Sequence, residues 1–206
     1  MESGKKCLII ANKTCITYKE VFPFIIQGKI WSGRTGWSGG MWFETKNPDD
    51  VDRVIDGMNM KNVASVWLTN MDHGRRHEPL RLMSEKDNLR YNRHKSIREF
   101  GYRHYVNYDA IEVPYTDAIP SDYPGIMGVP LSFLEKHNPE QFEIVGMCEN
   151  ENLYGLRTRK FTTAECKAAY LAKFGKPGTY DLNASGVIEV DGLLEKVFQR
   201  ILIRKR

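Results

Sequence analysis

Apolar and polar positions along this chain fall in short blocks whose period changes from one block to the next. In KKCLIIANK two lysines precede an unbroken isoleucine-rich run, which predicts a short strand buried on both faces, of the parallel-sheet type. From Thr17 the apolar positions are Tyr18, Val21, Phe22, Ile25 and Ile26, the spacing of one helix face. Thr17 reads as its N-cap, with Glu20 three residues on and Gly28 as the stop. Pro23 lies inside that helix and predicts a kink. KIWSG predicts another short strand. Strand, crossover helix, strand is one unit of a parallel sheet with helices on its faces.

The glycines at 33, 36, 39 and 40 exclude a regular helix from GRTGWSGGMWFET, which reads as a loop opening into a strand. NPDDVDRVIDG predicts one or two helical turns, and NVASVWLTN a strong strand. Little periodicity follows. NYDAIEVP then predicts a strand, and SDYPGIMGVPLSFLEKHNPEQFEIVGM a turn, a short strand, a helix capped by Ser132 and a further strand, with GIMGVPLSFL in the core. Asp191-Gly192 is the dipeptide of a tight hairpin, whose second arm reads as strand or helix. No internal repeat or low-complexity segment is visible.

Composition limits what such elements build. A chain of 206 residues holds one domain with a real core, or a core with a smaller appendage. Hydrophobic content of 41%, with 11% aromatic, excludes a disordered protein, and no apolar stretch approaches the roughly 20 residues of a membrane span. MESGKKCLII has no small-residue cleavage site, so no signal peptide is expected. Cys7, Cys15, Cys148 and Cys166 are scattered without metal or disulfide spacing, which predicts free thiols and a cytoplasmic location.

The net charge of +4 permits a polyanion partner, and its distribution matters more than its size. Between Asp72 and Arg103 lie nine Lys or Arg against five acids, with four of the five histidines in or beside that stretch. Its first part, LTNMDHGRRHEPLRL, admits three readings. His73 and His77 stand four apart with Asp72 adjacent, as zinc ligands do on a helix. A third ligand is missing, however, and Arg75 is electrostatically wrong beside a cation, so no metal is expected. A solvated charged turn and an anion contact both stay open; guanidinium groups grip phosphate or read guanine in bidentate fashion. Tyr91, Tyr102 and Tyr105 among the basic residues suit a nucleic acid better than a membrane.

CLIIANKTCITYKEVFPFIIQGKIWSG, VWLTNMDHGRRHEPLRL, NYDAIEVPYTDAIPSDYPGIMGVPLSFLEKHNPEQFEIVG and the closing RILIRKR resemble successive blocks of the EcoRI-type adenine-specific DNA methyltransferases. The likeness runs from about Lys5 to the C-terminus and is weakest over residues 34–40 and 83–103. It implies transfer of a methyl group from S-adenosylmethionine to adenine N6 in double-stranded DNA, within restriction-modification. The family's glycine-rich cofactor turn and its Asn/Asp-Pro-Pro-Phe/Tyr motif are absent from this sequence, so no catalytic residue is assigned. That absence implies the C-terminal portion of such an enzyme, inactive without a missing half that an upstream polypeptide would supply. The alternative is a non-catalytic DNA-binding module or split-enzyme subunit.

The expected fold class is therefore α/β: residues 1–70 as the C-terminal half of a Rossmann-like methyltransferase sheet, and residues 71–206 as an appended α+β DNA-recognition region. Ligands of such sheets gather at the carboxyl ends of strands, which makes Asn12, Lys13 and Asn70 candidates for a target-base pocket, although Asn12 equally begins a turn. Asp72, His73, Arg75, Arg76 and His77 match the family's D-H-[GS]-R-R-H block and are assigned to DNA contact or to bracing the DNA-facing loops. Asn107, Tyr108 and Asp109 are candidates for contact with a base or sugar, or form a satisfied turn before a strand. The tryptophans read as packing residues, with Trp37 the exception.

Overall fold

The isoleucine-rich run does form a strand, β1 (Leu8–Asn12), but not in the sheet expected of it. In the computed structural model, which describes residues 4–34, 36–37 and 39–206, β1 pairs antiparallel with β6 (Ser65–Thr69), Leu8 opposite Thr69 and Asn12 opposite Ser65. Residues 1–3, to which the signal-peptide reading extends, and Thr35 and Ser38 of the glycine-rich loop lie outside the described residues. β2 (Trp31–Ser32) pairs antiparallel with the other edge of β6, giving the order β1-β6-β2. β1 and β2 therefore run parallel to each other, as a strand-helix-strand unit requires, but β6 lies between them and takes their hydrogen bonds. Burial explains the order. Val66 and Leu68 of β6 are 1% and 4% exposed, whereas Leu8, Ile9 and Ile10 on the outer strand are 54%, 42% and 49% exposed. The expected partial Rossmann-like parallel sheet is corrected accordingly: parallel pairing among the described residues is confined to Ala110–Glu112 against Ile126–Gly128.

The connecting helix is shorter than its periodicity implies. Asn12 accepts from the Thr14 N–H (3.0 Å) and caps a 3-10 turn, Lys13–Thr17. Thr17 donates back to the Thr14 carbonyl (2.9 Å) instead of capping a helix. Helix α1 is only Phe22–Ile26, so Pro23 falls in its first turn, where no donor is needed, and breaks nothing.

β3 (Met41–Glu44), β4 (Arg53–Ile55) and β5 (Met58–Val63) form a second antiparallel sheet in the order β3-β5-β4. The helical turns predicted there reduce to one 3-10 turn, Pro48–Asp50. Asp56 and Gly57, with φ of 50° and 79°, instead turn β4 into β5 as a tight hairpin. The strand predicted over NVASVWLTN is two strands, ending β5 and beginning β6 on either side of Ala64.

A four-stranded sheet, β7 (Ala110–Glu112), β8 (Ile126–Pro130), β12 (Arg200–Lys205) and β9 (Phe142–Met147), has the order β7-β8-β12-β9. The C-terminal strand is thus interior, and Ile201, Leu202 and Ile203 are fully buried. Arg200 on β12 reaches Glu112 on β7 at 2.6 Å, both side chains buried, and the Tyr105 hydroxyl also donates to Glu112. The helix predicted from Ser132 is a 3-10 turn, Leu131–Glu135. Helices α2 (Glu85–Tyr91) and α3 (Lys95–Phe100) occupy the stretch without clear periodicity. α4 (Thr163–Phe174) starts from a Thr162/Glu165 capping box, and β10 (Val187–Val190) turns at Asp191-Gly192 into β11 (Leu193–Lys196), so the second arm is a strand.

The chain packs as one unit reaching Glu78 and including Leu134–His137, and a second made of Pro79–Phe133 and Asn138–Arg206. No described helix is long and apolar enough to cross a membrane.

Candidate nucleic-acid interface

The basic turn leaves β6 under tight local control. The Thr69 hydroxyl donates to the Cys7 carbonyl (2.7 Å) and accepts from the Met71 N–H (3.0 Å). Asn70 accepts from the Cys7 N–H (2.7 Å) and donates to the Lys5 carbonyl (2.8 Å). The chain then makes a single 3-10 turn, Gly74–His77, whose four residues put neighbouring side chains on different faces.

The two arginines consequently do different things. Arg75 donates to Glu135 at 2.6 Å and to the Arg34 carbonyl at 2.5 Å; Glu135 also accepts from the Trp37 N–H at 3.0 Å. Arg75 and Glu135 thus clamp the glycine-rich loop. Arg76 lies with its guanidinium 3.8 Å from the centre of the Trp31 ring, and Asp72 stands 4.0 Å away. Trp31 is itself fixed, its indole N–H donating to the Met71 carbonyl at 3.1 Å.

The histidines point apart. His73 Nε2 donates to the Ser32 carbonyl at 2.8 Å, and its Nδ1 is buried with no hydrogen-bond partner among the described residues. His77 Nε2 meets the Asp72 carboxylate at 2.9 and 3.0 Å. This hydrogen bond lowers the Asp72 pKa below its ordinary value, with the charge of Arg76 adding to the effect. Among the described residues no three His, Cys, Asp or Glu side chains gather as a metal site would need.

The pocket candidates are not brought together. β1 and β6 are antiparallel, so Asn12 and Asn70 stand at opposite ends of the sheet, separated by about five residues or roughly 16 Å. Asn70 is occupied by the backbone of Lys5 and Cys7 just before β1, Asn12 caps a turn, and the Lys13 ammonium donates to the Trp37 carbonyl. In the second unit Asn107 is fully buried, donating to Ser185 O (2.9 Å) and accepting from the Val187 N–H (2.8 Å). Tyr108 is 3% exposed, and only Asp109 of that trio is on the surface.

Sequence reasoning missed Trp31 as the platform for Arg76 and Glu135 as the partner of Arg75, since neither is near the turn in the chain. It also missed Arg157, Arg159 and Lys160, which line an open polar cleft of about 450 Å³ with Asn150, Asn152 and Thr158. Charge density signalled that segment: residues 157–176 carry six Lys or Arg and one acid.

The turn after β6 thus holds one arginine paired with Glu135 and one stacked on Trp31. The model of the family "Adenine-specific methyltransferase EcoRI" matches residues 1–206, and the chain belongs to that family. It is 43% identical over 147 residues to the Type II methyltransferase M.EcoRI of Escherichia coli, covering 68% of this chain and 42% of the relative. To the Type II methyltransferase M.MpnI of Mycoplasma pneumoniae it is 30% identical over 156 residues, covering 72% of this chain and 46% of the relative. The chain spans about half the length of these curated relatives. No solved structure matches it.

The match over every residue corrects two expectations. The likeness, expected from about Lys5, covers residues 1–206, and the reading of the chain as an inactive C-terminal remnant lacking its other half is withdrawn.

Proposed function

We propose that this protein is a site-specific DNA methyltransferase, transferring a methyl group from S-adenosylmethionine to adenine N6 in double-stranded DNA, and that the Asp72–His77 turn contacts the DNA. Membership of the adenine-specific methyltransferase family carries the reading of the reaction. The Arg76–Trp31 stack supports the DNA contact, with Arg76 directed to phosphate or guanine and Arg75, His73 and Asp72 bracing the turn. A cytoplasmic location accords with both.

S-adenosylmethionine does not fit the two cavities that bear on it. One, lined by Trp31, Trp37, His73 and Glu135, has a volume of about 20 Å³, room for a single water molecule. The other has the volume, but its walls carry Arg157, Arg159 and Lys160, which would repel the sulfonium, and no apolar slot for the adenine ring. No step of methyl transfer is therefore routed through either of these two cavities.

The test is incubation of the purified protein with duplex DNA and isotope-labelled S-adenosylmethionine, followed by mass spectrometry of the digested nucleosides. Labelled N6-methyladenine is expected. DNA that is bound but left unmodified would remove the reaction while sparing the contact, and absence of binding would remove both.

A further inference from the structure

Residues 157–176 hold a denser basic run than the turn after β6, and nothing in the proposed reaction uses it. Arg157, Arg159, Lys160, Lys167, Lys173 and Lys176 face a single acid in sequence, Glu165. The first three open onto the 450 Å³ cleft, where Glu151 is the one carboxylate in the lining and Asn150, Asn152 and Thr158 supply neutral polar groups.

We infer that this cleft is a second DNA-binding surface, gripping the phosphate backbone of the duplex independently of base sequence. The inference rests on the reading of the protein as acting on DNA.

Preorganisation sets the cleft apart from a merely solvated charged face. Arg157 donates to the carbonyls of Glu149, of Asn150 (3.0 Å) and of Asn183 (2.8 Å), tying residues 149–150 to residue 183 beneath the cleft. Arg159 lies 4.7 Å from the Phe161 ring centre, held on an aromatic face much as Arg76 is, and contacts Glu165 at 2.5 Å. Glu165 is anchored in turn by the Thr162 N–H (2.7 Å) and hydroxyl (2.9 Å). A guanidinium already fixed in place loses little entropy when a phosphate arrives. Lys160 is exposed at the rim. An open cleft with cations, amides and a hydroxyl suits a chain of phosphodiesters better than a small anion, which would be enclosed.

The experiment compares wild type, the Arg159→Ala/Lys160→Ala double variant and Arg76→Ala by fluorescence anisotropy with a labelled duplex across a salt series. Both residues replaced in the double variant are exposed, and circular dichroism checks that the fold is kept. The double variant is expected to bind about tenfold more weakly at moderate salt, and the slope of log K against log salt to fall by about 2, near one unit for each phosphate no longer held. An unchanged slope in the double variant, with weakened binding in Arg76→Ala, would overturn the cleft and leave the proposed function standing. Loss of inorganic phosphate binding with duplex binding intact would also overturn it, in favour of a small-anion site. Absence of duplex binding by wild type would overturn both.

Discussion

Arg75 and Arg76 are adjacent in sequence and identical in chemistry, yet one is an internal clamp and the other a stacked cation, because a 3-10 turn sends successive side chains to different neighbours. Arg76→Ala is expected to weaken duplex DNA binding by about 1–3 kcal/mol, measured by anisotropy at a temperature where circular dichroism shows the variant folded. An unaffected affinity would exclude Arg76 from the interface. Asp72 gives the turn a pH signature. Its pKa in the folded protein lies below the ordinary carboxylate value, so its stabilising contribution is present above that ordinary value, about 3.9, and is lost as pH falls through the lowered folded value. The difference in urea midpoint between wild type and Asp72→Asn should therefore shrink as pH falls below about 4. A difference that grows on acidification would contradict the Asp72–His77 hydrogen bond. The chemistry of DHGRRH was legible from residue types; the division of labour was not, since Trp31 and Glu135 arrive from elsewhere in the chain.

Among the elements, local chemistry was the best guide where backbone angles were at stake. Asp191-Gly192 predicted its hairpin, and the same dipeptide at 56–57 forms a second where one or two helical turns were expected. Alternation and apolar runs found most strands but not their partners: LIIAN was read as doubly buried and lies at a sheet edge, because the more apolar environment went to β6. The Glu112–Arg200 pair shows how far such partners lie apart, binding β7 to the C-terminal strand across β8. Arg200→Met leaves the Glu112 carboxylate buried without its cation, and a drop of about 3–5 kcal/mol in unfolding free energy is expected by urea titration. Combining it with Glu112→Gln should restore much of that, since the uncompensated charge is then gone; equal losses in the single and double variants would show that charge is not the cause.

For the molecule as a whole, burial should govern thiol chemistry. Cys15, Cys148 and Cys166 are buried, and desolvation raises the pKa of Cys15 and Cys148, whereas Cys7 is partly exposed. Brief alkylation of the native protein is expected to modify Cys7 first and Cys148 only with unfolding, read by peptide mass spectrometry; rapid labelling of Cys148 would contradict its placement beside the interior strand. The linear order of residues sufficed for the family, for most strand positions and for the basic character of the turn, because block likeness, local propensity and charge are properties of neighbours along the chain. It could not supply the antiparallel place of β6 between β1 and β2, the separation of Asn12 from Asn70, the interior position of the last strand, or the stacking of Arg76 on Trp31. Those follow from competition among distant segments for the same buried surface and hydrogen bonds, a contest settled only when the whole chain packs.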